Sequence, residues 1–135
     1  LGDNITSVGW PSCGEIDIME LIGGEGYNDK TTYGTIHWQD NGTHAQYGGT
    51  KTLASGKFAD EFHVFSIEWD QSSIHWLLDN VEFKSVNTTP AELSEFQEKF
   101  FLIFNVAVGG NFPGNPDATS VFPQTMYVDY VRIFQ

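Results

Sequence analysis

Positive charge is scarce in this sequence. Only 6 Lys and Arg stand against 18 Asp and Glu, leaving a net charge of −12 over 135 residues. Such a surface repels phosphate backbones and anionic lipid, so nucleic acid and membranes are poor partners. A neutral polymer or a cation remains compatible with it. No apolar run approaches the ~20 residues that a membrane-spanning helix needs. Cysteine is nearly absent too: Cys13 stands alone, so no disulfide can close within the chain. A small buried residue is the plain reading of Cys13, and a thiol nucleophile is its rival. Neither a signal peptide nor a transit peptide is visible. The chain nevertheless starts at Leu1 rather than Met, which points to something removed upstream. The sequons at Asn4, Asn41 and Asn87 are short patterns that matter only in a secreted eukaryotic protein.

Helical periodicity is the other shortage. The one candidate helix is Thr89–Phe96, with Thr89 as its cap, Pro90 at its first position and acids in its first turn. The remainder alternates like strands broken by Gly, Asn, Asp and Ser. Strands are expected at 14–21, 32–38, 63–69, 73–78, 81–86, 99–108 and 126–134, with a Gly-rich turn after the first. Asp79-Asn80 reads as a two-residue hairpin turn. The aromatic content is high, with 11 Phe, 5 Tyr and 4 Trp, which is ample for a core. An all-β domain of two packed antiparallel sheets follows, with a concave face able to hold a long ligand.

The first strand, GEIDIMEL, carries Glu15, Asp17 and Glu20. The spacing of two puts Glu15 and Asp17 on one face, but the spacing of three turns Glu20 away on a regular strand. A β-bulge at Ile18 or Met19 restores the parity. Glu15 and Glu20 are then separated by ~13 Å between Cα atoms. Side chains leaning along the strand can bring their carboxyls to the ~5–5.5 Å used by retaining glycosidases. Neighbouring like charges keep one carboxyl protonated while another ionises, which gives an acid and a nucleophile together. Two rivals are a solvated strand face that happens to be acidic and a divalent-cation site.

Trp10-Pro11-x-x-Gly14-Glu15-Ile16-Asp17-Ile18-Met19-Glu20 resembles the active-site signature of glycoside hydrolase family 16. The form with the extra Met resembles the laminarinases, endo-β-1,3-glucanases; relatives acting on mixed-linkage glucan generally lack it and keep an unbulged strand. Further matches are Thr35–Trp38, Phe62–Trp69, Phe101–Gly110 and Val128–Arg132. The resemblance implies a concanavalin A-like jelly roll and hydrolysis with retention. Glu15 would be the nucleophile, Glu20 the acid/base, and Asp17 the residue that tunes and orients them. It implies that Trp10 stacks on a sugar, and that His37 and Asn105 face the cleft. It also implies a calcium site on the convex side with Asp129 as one ligand. A β-1,3-glucan is the implied substrate, and a secreted, extracellular or periplasmic location goes with it. Hydrolysis of another β-glucan or an algal galactan is the alternative, as is a non-catalytic β-glucan-binding protein on the same fold.

The resemblance covers nearly the whole chain but only the C-terminal portion of the family's domain. The missing strands would cover the apolar faces of 63–69 and 99–108. An N-terminal half of the same domain, supplied as a separate chain or fragment, is therefore expected as a partner.

Overall fold

The computed structural model describes residues 1–23 and 29–135. A single helical turn, α1 (Ile5–Val8), precedes six strands. These are β1 (Glu15–Leu21), β2 (Thr31–Asp40), β3 (Thr43–Thr52), β4 (Phe65–Trp69), β5 (Ser73–Leu78) and β6 (Val81–Asn87). They form two antiparallel sheets of three strands each, ordered β1-β2-β3 and β4-β5-β6. Most of the Gly-rich turn expected before β2 lies outside the described residues.

The core forms where the two sheets face each other. In β2, alternation buries Thr32, Gly34 and Ile36. In β5 it buries Ile74, Trp76 and Leu78. Ile36, Ile74 and Trp76 meet Leu93 and Phe96 in one cluster, with Ile16, Trp38, Ile67 and Phe83 packed around it. Each large side chain removed from water here contributes about 1.5–3 kcal/mol. Across the open side, the Lys84 ammonium of β6 stands 4.1 Å over the Tyr47 ring of β3.

Two of the hairpins turn on residues with positive φ. Asp79 and Asn80 (φ 51° and 64°) join β5 to β6, as the sequence led us to expect. Asn41 and Gly42 (φ 48° and 80°) join β2 to β3. The sequence reading had no counterpart for β3, because THAQYGGTKT lacks an apolar alternation; the Asn-Gly pair was its signal.

Three expectations need correction. The helix expected at Thr89–Phe96 is a 3₁₀ helix, Ala91–Gln97. Thr89 does not cap it: its hydroxyl donates to Asn87 Oδ1 at 2.8 Å. The fourth strand begins at Phe65 rather than His63, because the His63 ring and the Val64 amide bond to the Asp79 carboxylate in the hairpin turn. Most importantly, residues 99–108 and 126–134 join no sheet among the described residues. Phe100 makes one bridge to Gly2, and Leu1 and Phe101 exchange backbone hydrogen bonds at 2.9 and 3.2 Å. Beyond that point the apolar side chains lie open, Ile103 at 54% exposure and Phe134 at 85%. An apolar alternating sequence becomes a strand only when a neighbour supplies its hydrogen bonds, and neither sheet extends to this segment. No helix of the described residues is long and apolar enough to cross a membrane.

Candidate active site

The ladder between β1 and β2 gives the geometry of the acids. Glu15 pairs with His37 and Asp17 with Thr35; the register then jumps to Glu20 opposite Tyr33. Three steps on β1 match two on β2, so one extra residue is taken up at Ile18-Met19. Glu15, Asp17 and Glu20 thereby share a face with Tyr33, Thr35 and His37. β3 extends this face with Thr50, Gly48 and Gln46. Tyr33, Thr35, Gln46, Gly48, Gly49 and Thr50 line a groove of about 230 Å³ beside the acids. A larger hollow of about 320 Å³ lies near the 3₁₀ helix, but its lining of Gln71, Thr88, Thr89, Pro90, Ala91, Ser94 and Gln97 has no ionisable side chain. The smaller one opens on the face that Glu15, Asp17 and Glu20 share.

Among the three acids, electrostatics act on Glu20. Burial is the main cause that raises the pKa of Glu20, followed by the charge of Asp17; Glu15 adds to it and His37 opposes it. The His37 pKa is raised chiefly by its hydrogen bond to Asp17, against the effect of burial. His37 Nε2 lies 3.1 Å from Asp17 Oδ2. The indole N–H of Trp10 donates to Glu15 Oε2 at 2.5 Å, while half of the Trp10 surface stays exposed at the mouth of the site.

His44 is a neighbour that the sequence reading missed. Its Nε2 is 2.9 Å from His37 Nδ1, and its ring packs on Trp10 with centroids 4.7 Å apart. A charged His37 donates from both ring nitrogens, one to Asp17 and one to His44. Trp10, Glu15, His44, His37 and Asp17 thus form one connected set. Had the Asn41-Gly42 turn been read, the count across the hairpin would have put His44 diagonally opposite His37.

Asn105 and Asp129 lie apart from this set. Both are exposed, in the segment outside the sheets. Among the described residues no group of three His, Cys, Asp or Glu side chains gathers to hold a metal, at the acids or at Asp129. Calcium takes 6–8 oxygens, more than the single carboxylate of Asp129 supplies. Cys13 is fully buried, with its thiol 3.4 Å from the Gly14 carbonyl, as a small interior residue would be.

Residues 4–132 match the family described as glycosyl hydrolases family 16. The chain belongs to this family. Among solved structures, it resembles the endo-β-1,3-glucanase from Pyrococcus furiosus with a TM-score of 0.77 and 40% identity, over 91% of this chain and 48% of that one. It is 37% identical to the clotting factor G alpha subunit of Tachypleus tridentatus, over 99% of this chain and 19% of the relative. It is 36% identical to glucan endo-1,3-beta-glucosidase A1 of Niallia circulans, over 93% of this chain and 20% of the relative. The chain thus spans about half or less of each of these proteins. The two sheets are part of the family's jelly-roll sandwich, and the likeness to laminarinase-type members agrees with the signature at Trp10–Glu20.

Proposed function

We propose that this chain carries the catalytic acids of a retaining endo-hydrolase of β-1,3-glucan. Glu20, whose proton is held more tightly through burial and its acidic neighbours, donates to the glycosidic oxygen. Glu15 attacks the anomeric carbon and forms a glycosyl-enzyme. Water then releases the sugar, with Glu20 as the base. Trp10 holds Glu15 by its indole N–H and offers its exposed ring to a sugar. His37 holds Asp17 between the two glutamates. The observation that carries this reading is the register jump between Asp17 and Glu20, which returns Glu20 to the face of Glu15.

A segment outside this chain is part of the proposal. The apolar surface of residues 101–134 needs a cover, and the Pyrococcus furiosus structure is about twice the length that this chain spans. The remaining half of the family's domain, in the same polypeptide or as a separate one, is the proposed cover. Asn105 would reach the sugar subsites, and Asp129 a calcium ion, only with that half present. Because the substrate is a polymer, we assign the protein to the extracellular side, periplasm included.

The test is release of reducing ends from laminarin by the complete protein. Glu15→Gln should reduce it to background, and NMR should find the β-anomer as the first product. The second reading, a β-glucan-binding protein, is supported by 31% identity to the beta-1,3-glucan-binding protein of Penaeus monodon over 84% of this chain. Tight laminarin binding with no cutting by the complete protein would decide for that reading.

A further inference from the structure

The bulge that aims Glu20 also breaks the ladder, and the backbone groups it frees must find other partners. The carbonyl of Asp17, the last paired residue before the break, accepts a hydrogen bond from the indole Nε1–H of Trp76 at 2.9 Å. Trp76 belongs to β5 in the opposite sheet and is fully buried. Its ring lies against Gly34, the residue between Tyr33 and Thr35 and so the one facing the bulge. A Cβ built on Gly34 would lie 2.8 Å from both Cγ and Nε1 of Trp76. The register of β5 with β6 also shifts beside Trp76: it pairs with Lys84, and Leu77 pairs with Glu82. The missing side chain at Gly34, the indole of Trp76 and the extra residue of β1 therefore fit together across the sandwich.

We infer that Trp76 is a positioning residue. Its indole N–H, admitted by Gly34, pins the β1 bulge and so fixes the aim of the Glu20 carboxyl relative to Glu15. Trp76 donates to the backbone of the catalytic strand and acts from the side away from the substrate. The effect on turnover rests on the glycosidase reading; the effect on the environment of Glu20 does not.

The test replaces Trp76 in the complete protein with 3-benzothienylalanine, which keeps the bicyclic shape and puts sulfur in place of the N–H. Trp76→Phe serves as the encoded counterpart. Three quantities are measured: the melting temperature, kcat and KM on laminarin, and the titration of the Glu20 carboxyl by ¹³C NMR. The inference expects kcat to fall about 10–100-fold, the scale of a small misplacement of a catalytic group. KM should stay within about twofold, since substrate contacts are untouched. The Glu20 titration should move toward that of an ordinary glutamate. A lower melting temperature with unchanged kcat and an unmoved Glu20 titration would reduce Trp76 to a packing residue and overturn the inference. So would a benzothienyl variant equal to wild type throughout. If Trp76→Phe fails to fold, the benzothienyl protein alone decides. If wild type proves unable to cut laminarin, the glycosidase reading falls, and the Glu20 titration still decides on Trp76.

Discussion

Residues 15–87 and residues 99–134 are both rich in Val, Ile, Phe and Tyr, yet only the first stretch builds ladders. The difference lies in what stands beside each. β2 has β1 on one edge and β3 on the other, and its Ile36 is fully buried. Ile103 sits in a sequence at least as apolar and is 54% exposed. Strand propensity is a readiness to fit a pleated, half-buried surface, and it has no effect until that surface exists. The second stretch leaves its apolar side chains open, and the acids sit entirely on the part that is already built.

The largest expected effect follows directly from this contrast. Ile36→Ala should cost about 2–5 kcal/mol in urea unfolding of the chain. Ile103→Ala should change it by less than about 0.5 kcal/mol, as an exposed substitution does. Adding the proposed complementary half should bring the cost at Ile103 up to the range of Ile36. Equal costs at the two positions in the chain by itself would break the comparison.

A second, smaller effect sharpens it from inside the built region. Gly34→Ala adds one methyl where the Trp76 ring already lies, and should destabilise by about 1–3 kcal/mol. Near-UV circular dichroism should report the displaced indole. An unchanged signal with unchanged stability would mean that the close approach of Gly34 and Trp76 carries no consequence.

The same contrast explains what could be read from the residues alone. Local features were legible. The three acids with a missed beat called for a bulge, and Asp79-Asn80 called for a turn, because each is set by neighbours in sequence. β5 and β6 came through with nearly their observed bounds for the same reason. β3 was lost because its polar residues and paired glycines carry no alternation, and His44 was lost with it. Trp76 carries no local signal of its position, since its bond to Asp17 spans 59 positions and depends on a glycine in a third strand. The strands expected at 99–108 and 126–134 did not form, because neither sheet offers that segment an edge to pair with. Asn105 and Asp129 lie in the segment outside the sheets, apart from the acids.

The smallest expected effect concerns the charge on His37. Its ordinary pKa is 6.5, and in the fold it is raised, first by the hydrogen bond to Asp17 and then by the charges of Asp17, Glu15 and Glu20, against burial. The other groups facing it are His44 of β3 and the Trp10 ring. A raised folded-state pKa means that the folded protein holds this proton more tightly than the unfolded chain does. The resulting stability is fully present below about pH 6.5 and is lost as the pH rises through the folded-state value. His37→Gln keeps a donor for Asp17 but cannot titrate. It should therefore lower stability by under about 1 kcal/mol at pH 6, the range of a modest ion pair. The deficit should shrink by pH 9, once His37 is neutral in wild type as well. Urea unfolding of both proteins at the two pH values measures it, and a deficit independent of pH would show that His37 supports the acids by hydrogen bonding alone, without its charge.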